Sequence, residues 1–243
     1  AAARTYGEIV EFQFGPFKFV LVSDPEMVRE ILINQAKNFP KAKRDVRLLS
    51  RTTGKGLVTT NGETHKRQRR LTQPAFHHRR IAGYADTIST YSERMVAHLS
   101  HGQEINMAER MEALTMYIVS KTLFDVDMDD MVEKSAEIGR AIDVLQTLSN
   151  KNIDKPINLP IWVPTADNIR NWRARRMLDS TISTIMADRR QAGENGVPLD
   201  TGDLLSMLML AQDEDGSLMR DWEIRDQLLT LFLAGHETTS NAL

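Results

Sequence analysis

The sequence predicts a mainly helical protein with one small β-sheet near its N-terminus. The helices are indicated by apolar residues that recur every three or four positions over residues 81–99, 105–123 and 222–234. The sheet is indicated by two short apolar runs, residues 9–15 and 17–22, which predict a β-hairpin around a Gly-Pro turn. The hydrophobic fraction of 41% and the charged fraction of 26% are ordinary for a globular protein.

Local signals place the elements of the first third. Asp24 is a good N-cap and Pro25 suits a first turn, so a helix is predicted from there to about residue 36. Residues 38–60 lack a long helical period and are predicted to form a loop. The pair at residues 61–62, Asn-Gly, is a turn signal, and Thr64 is a candidate cap for the next helix.

Helices also dominate the predicted remainder of the chain. They are expected over residues 131–148, 165–191 and 204–210, with a Pro-rich segment at 151–164, a polar loop at 193–202 and a turn at 213–217. Four arginines on the long helix are expected to be exposed: Arg170, Arg173, Arg175 and Arg176.

An acidic run over residues 125–130 is similar in composition to a calcium-binding loop. It contains three closely spaced acids, Asp127, Asp129 and Asp130, but lacks the turn Gly and the terminal Glu of such a loop. A connection between two helices is therefore the prediction.

Residues 233–240, Leu-Ala-Gly-His-Glu-Thr-Thr-Ser, are the most informative stretch. An interior Gly destabilises a helix by about 1 kcal/mol relative to Ala, and two successive β-branched Thr residues contribute little to helix stability. We therefore expect the helix to open at Ala234 and Gly235, with an acid and hydroxyls that hold water and pass protons. The alternative is a C-cap followed by a solvated last turn. A zinc-protease His-Glu-x-x-His site is excluded, because Ser240 stands four residues after His236.

A basic helix is predicted to follow Thr64, within residues 61–80. His65 and Arg69 are four positions apart and so share one face, which Lys66, Arg67 and Arg70 widen. Such a face suits an anionic group, since Arg binds carboxylates through a rigid fork of donors. A solvated basic helix is one alternative. A nucleic-acid patch is disfavoured, because the net charge is −2 and no basic stripe with interleaved aromatics continues from it.

Together these two segments resemble the cytochrome P450 family of haem-thiolate monooxygenases. In that family, a Trp or His followed four residues later by Arg, and then by Pro-x-Phe, matches His65, Arg69 and residues 74–76. The family's central helix carries Ala/Gly-Gly-x-Asp/Glu-Thr-Thr, which matches residues 234–239 in the same order along the chain. The resemblance implies a P450-like helical fold with a small N-terminal sheet, of which residues 1–243 form a truncated, partial domain.

The resemblance also implies a haem b cofactor and a role for each matched residue. His65 and Arg69 would anchor the haem propionates, while Ala234 and Gly235 would line the cofactor and leave room for O2 beside the iron. Thr238 would hydrogen-bond the oxygen, and Glu237 would feed protons as the acid of an acid–alcohol pair. The expected substrate is small and apolar, with fatty-acid-like molecules as the narrower expectation. Electrons would come from NAD(P)H through a ferredoxin or a flavin reductase.

One departure from the family is the absence of Cys, and with it of the iron ligand. We therefore interpret the chain as the N-terminal portion of a longer enzyme, inactive as it stands, with no metal ligand of its own. No apolar run reaches the length of a membrane span and no signal peptide is visible, so a cytoplasmic location is expected. The competing hypothesis is a non-enzymatic helical interaction domain with the basic helix as its docking face.

Overall fold

The computed structural model describes residues 2–126, 132–153 and 159–243. Within them, ten α-helices and one two-stranded sheet follow one another along the chain. They are α1 (Ala2–Tyr6), β1 (Ile9–Phe14), β2 (Phe17–Val22), α2 (Pro25–Arg29), α3 (Lys43–Thr53), α4 (Gly62–Thr72), α5 (His78–Ala97), α6 (Met107–Phe124), α7 (Val132–Ile153), α8 (Ala166–Glu194), α9 (Leu204–Leu210) and α10 (Asp221–Ala242).

The predicted hairpin is confirmed. Strands β1 and β2 pair antiparallel, from Ile9 opposite Val22 to the closing pair at the turn. Gly15 in that turn has a φ of 58°, which Gly adopts without the steric cost that a Cβ brings. Phe12 and Phe19 lie opposite each other and stack with ring centroids 5.4 Å apart, a cross-strand pair that fixes the register.

The segment after the hairpin differs from the prediction in two places. Asp24 caps α2 by accepting a hydrogen bond from the Met27 amide at 2.7 Å, as expected, but the helix continues as a π-helical turn at Glu30–Asn34. Residues 38–60 are not one loop, because α3 occupies their middle. This helix contains few apolar residues, of which Leu48 is buried, and it packs against α7, α8 and α10.

The remaining boundaries are close to the predictions. Helix α4 begins one turn earlier than expected: Asn61 is the N-cap residue and Thr64 lies inside the first turn. Thr165 caps α8 through a hydrogen bond from the Asn168 amide at 3.2 Å. Helix α7 extends to Ile153, into the segment predicted to be non-helical. The acids expected at 127–130 and the proline at 156 lie outside the described residues.

The main core lies where α6, α7, α8 and α9 surround the first half of α10. Its fully buried members include Leu145 on α7, Leu205 and Leu208 on α9, and Leu228 on α10. Burying a Leu side chain stabilises a fold by about 1.5–3 kcal/mol, so these contacts fix α10 firmly in the molecule. The part of α10 that carries the predicted motif extends from this anchored half.

Candidate functional site

Some basic residues of helix α4 form ion pairs with acidic side chains, and others do not. Arg67 lies 2.7 Å from an Asp213 oxygen and 2.8 Å from a Glu223 oxygen, and Arg70 also pairs with Asp213. The prediction that Arg67 and Arg70 widen the basic face is therefore wrong, because acids from the α9–α10 turn and from α10 neutralise them. Lys66 is also paired, with Glu63, the two charged atoms being 2.5 Å apart.

Of the basic residues on this helix, His65 and Arg69 form no ion pair among the residues that the structure describes. Arg69 is exposed and forms no ion pair with any residue that the structure describes. Burial lowers the pKa of the half-buried His65, and the charges of Lys41 and Arg69 lower it further. At neutral pH the pair therefore offers one permanent cation and one neutral hydrogen-bonding ring. This combination fits a carboxylate that needs both charge and hydrogen bonds.

The second candidate motif lies near the end of α10, and the helix does not open there. Residues 221–242 form one continuous helix, so the predicted opening at Ala234 and Gly235 is wrong. The hydroxyl of Thr238 donates to the Ala234 carbonyl one turn earlier, which is a common back-bond of Thr within helices. The Thr238 oxygen keeps its lone pairs free to accept a hydrogen bond.

The motif residues divide between two faces of α10. Ala234 and Thr238 are exposed, whereas His236 is buried with 4% of its surface accessible. A Cβ on Gly235 would lie 3.4 Å from a Val119 methyl, so the space left by this glycine faces α6. Glu237 is half-buried. The exposed face, rather than a gap in the backbone, is where α10 can meet a ligand.

Sequence reasoning missed the environment of His236. Its Nδ1 atom lies 2.9 Å from the Thr115 hydroxyl on α6, and its ring meets Phe232 edge-on. Burial lowers the pKa of His236, although the carboxylates of Asp143, Glu112 and Glu237 oppose that shift. The ring is therefore neutral at pH 7.

Two polar contacts join the loop between α3 and α4 to α10. The Lys55 amide donates to the Asp226 carboxylate at 2.7 Å, and the Leu57 amide donates to the Gln227 side chain at 3.1 Å. The approach is close enough to require glycine, since a Cβ on Gly56 would lie 2.0 Å from the Thr230 hydroxyl. The segment before α4 is thus held directly on the helix that carries the second motif.

The Asp226 carboxylate is also the centre of a charge cluster. Its side chain is 3% exposed and lies 2.9 Å from Arg225 and 3.6 Å from Arg175. Arg175 also donates to two α3 carbonyls, so the prediction that it is exposed is wrong: this arginine joins α8 to α3 and α10. Burial raises the pKa of nearby Asp179, against the lowering effect of Arg225 and Arg175.

The described ranges contain neither a metal-binding cluster nor a membrane-spanning helix. No group of three or more His, Asp or Glu side chains in those ranges could hold a metal ion. No helix there is both long and apolar enough to cross a bilayer.

Comparison with known proteins decides the family. The sequence profile described as Cytochrome P450 matches residues 1–243, which is the whole chain. The chain belongs to the cytochrome P450 family. The mainly helical fold with a small N-terminal sheet is accordingly confirmed as a P450 fold, and haem is the cofactor that the family implies.

Several relatives of this chain are bacterial proteins. The chain is 35% identical to cyclooctatin synthase of Streptomyces melanosporofaciens, with 100% of this chain and 52% of that protein covered. It is 31% identical to cyclooctat-9-en-7-ol 5-monooxygenase of the same organism, with 100% and 51% covered. It is 27% identical to pentalenene oxygenase of Streptomyces avermitilis, with 100% and 52% covered. The chain therefore spans about half the length of these relatives.

A solved structure shares the fold. Retinoic acid bound cyanobacterial CYP120A1 superposes with a TM-score of 0.75 over 99% of this chain and 52% of that one, at 20% sequence identity. At this identity the likeness concerns the fold alone.

Proposed function

We propose that residues 1–243 are part of a haem-dependent monooxygenase that inserts one oxygen atom of O2 into an apolar substrate. The observation that carries the proposal is which basic residues of α4 form ion pairs and which do not. The other three cations of the helix are ion-paired, and His65 and Arg69 are left without acidic partners among the described residues. Haem propionates are carboxylates and would supply the acidic partner that His65 and Arg69 lack.

The chain's own residues supply binding and proton handling. Arg69 would hold a propionate through a charge-assisted hydrogen bond, and His65 would add a second donor. Ala234 and Thr238 on the exposed face of α10 would line the cofactor, with Gly235 beside them. Bound haem would supply dioxygen activation, which a Cys thiolate on the iron favours.

The acid–alcohol pair would supply protons on the exposed face of α10. The Thr238 hydroxyl donates its one proton to the Ala234 carbonyl, so its oxygen can accept from a water and hold that water on this face. Glu237 would deliver protons from solvent to that water. Glu237→Gln should therefore slow turnover severalfold while haem binding stays intact, because the relay loses its ionisable member. Turnover measured against haem content tests this assignment.

The substrate class that we propose is apolar and unsaturated or singly hydroxylated. Two relatives carry the names cyclooctat-9-en-7-ol 5-monooxygenase and pentalenene oxygenase, which denote an alkene alcohol and an alkene. Fatty-acid-like molecules remain the second candidate class. The electron donor would be a ferredoxin or a flavin reductase that draws on NAD(P)H, and the cytoplasm is the proposed location. Fractionation of producing cells tests the location.

The chain contains no Cys, so in this proposal the iron ligand would be supplied from outside residues 1–243. The experiments below therefore use the completed protein, which we define as this chain joined to the remaining part of a cytochrome P450 domain with its Cys loop. Haem binding by the completed protein, with the spectrum of a thiolate-ligated iron, is the first result required. A completed protein that folds but takes up no haem would instead support a non-enzymatic helical interaction domain.

The haem anchor is tested by comparing adjacent arginines. Arg69→Ala should release haem roughly 10–150 times faster, which corresponds to the loss of a charged hydrogen bond worth about 1.5–3 kcal/mol. Arg70→Ala removes the same charge from the next position, but its partners are Asp213 and Glu214, so haem release should change less than about threefold. Haem transfer to an acceptor protein measures both rates. Equal rates in the two variants would show that the assignment is wrong.

A further inference from the structure

The buried side of α10 carries a polar contact that faces away from the proposed ligand side. In an α-helix successive residues are rotated by about 100°, so Ala234 and Thr238 each lie nearly opposite His236. Burial agrees with this geometry, since Ala234 and Thr238 are exposed and His236 is 4% exposed. Whatever fixes the direction of His236 therefore also fixes the direction of the other face.

His236 is fixed by a hydrogen bond to a neighbouring helix. Its Nδ1 atom lies 2.9 Å from the Oγ1 atom of Thr115, which is itself buried on α6. Thr115 has a single hydroxyl proton, and the carbonyls of Met111 and Glu112 lie 2.9 Å and 3.1 Å from the same oxygen. If the hydroxyl donates to its own helix, as helical Thr commonly does, His236 must donate from Nδ1.

Packing around the hydrogen bond restrains the same face. One turn before His236, the Phe232 ring meets the imidazole edge-on and also contacts Phe124 of α6. The open side of Gly235 faces Val119 of the same helix. These contacts are apolar and permit small rotations of α10, whereas a hydrogen bond between two defined atoms is directional.

We propose that His236 and Thr115 form a positioning pair that sets the rotation of α10 about its axis, and so aims Ala234 and Thr238 at the cofactor. The inference rests on the proposed function and adds a role for two residues of the same site. Neither residue touches the proposed ligand face. Their effect on oxygen insertion would pass entirely through the orientation of the opposite face.

The variants of His236 differ in which nitrogen of the imidazole ring they can replace. The side-chain amide nitrogen of Asn can replace the Nδ1 atom of histidine, and that of Gln replaces Nε2 instead. In the completed protein, His236→Asn should therefore keep most of the product formed per NAD(P)H consumed, and His236→Gln should lose at least about threefold. Thr115→Val should match the loss in His236→Gln, while Thr115→Ser, which retains the hydroxyl, should restore coupling.

A control and a second readout separate positioning from general destabilisation. Ser120→Ala removes another buried hydroxyl of α6, one without a hydrogen-bond partner in the described structure, and should leave the coupling unchanged. Nitrogen-15 spectra of the ferrous carbon monoxide complex should show His236 protonated on Nδ1 in the wild type, and this proton signal should shift in Thr115→Val.

The outcomes are distinct for the inference and for the function on which it rests. Equal coupling in the Asn, Gln and wild-type proteins would overturn the positioning pair while leaving the monooxygenase intact. An imidazole protonated only on Nε2 would also overturn the proposed donor direction and with it the pair as stated. A completed protein that binds no haem would overturn the proposed function and this inference together.

Discussion

Asp226→Ala should destabilise the completed protein by about 3–5 kcal/mol, the usual cost of removing one partner from a buried ion pair. The Asp226 side chain is only 3% exposed and lies 2.9 Å from Arg225 and 3.6 Å from Arg175. It also accepts the Lys55 amide hydrogen bond at 2.7 Å. The alanine variant would leave all three donors without this acceptor, in a region where water replaces it poorly.

The chain provides a matched control on the same two helices. Asp221 of α10 pairs with Arg190 of α8 at 2.6 Å, a shorter contact than that between Asp226 and Arg175. These control side chains are 66% and 47% exposed, so solvent screens their attraction. Asp221→Ala should therefore cost about 0–1 kcal/mol. Burial, rather than distance, would account for the difference between the two variants.

Urea unfolding followed by far-ultraviolet circular dichroism measures both effects, with the slope m compared to detect changes in the unfolded state. Asp226→Asn should fall between the wild type and the alanine variant, because the amide oxygen still accepts from Lys55 but carries no charge. Proteolytic cleavage of the loop between α3 and α4 should increase in the order of lost stability. Losses within about 1 kcal/mol of each other for Asp226→Ala and Asp221→Ala would refute the reasoning.

Three further predictions concern the same helix and loop. Gly56→Ala should cost at least about 1–3 kcal/mol in urea unfolding, because the new Cβ would lie 2.0 Å from the Thr230 hydroxyl; Gly83→Ala, which meets no atom within 4 Å, should cost nothing. Thr238→Ala should retain haem and NAD(P)H consumption but divert electrons to hydrogen peroxide, and unchanged coupling would exclude the acid–alcohol pair. Because burial lowers the pKa of His236, the unfolded state binds more protons below about pH 6.5, so the wild type should lose more stability than His236→Asn on acidification.

Periodicity predicted the helices that bury a continuous apolar stripe and missed α1 and α3, which do not. Residues 204–210 were assigned without error, and α5, α6 and α8 within a few positions, because each has regularly spaced apolar residues. Helix α3 contains mostly charged and hydroxyl residues, and its helical state depends on contacts with α7 and α10, which are distant in sequence. The local sequence of α3 contains no information about those distant partners.

The same limit applies to the candidate site. The four-residue spacing identified His65 and Arg69, since helical geometry alone places them on one face. The sequence could not show which other cations of α4 are neutralised, because Asp213 lies 146 residues after Arg67 along the chain. The helix opening at Gly235 was wrong for a related reason. An interior glycine indicates either a break or a close approach, and here Val119 of α6 occupies the space beside it.

The two candidate motifs are mechanically connected through α10. Glu223 near its start pairs with Arg67 of α4, and its other carboxylate oxygen accepts the Arg220 amide that begins the helix. One carboxylate thus holds both the helix that carries the basic pair and the first turn of the helix that carries Thr238. Further along, His236 fixes the same helix against α6. Because α10 is continuous between these two contacts, a shift at either end would change the separation between the basic pair and the exposed Thr238 face. In the proposed function, the position of a haem between them would therefore depend on polar contacts that lie outside both motifs.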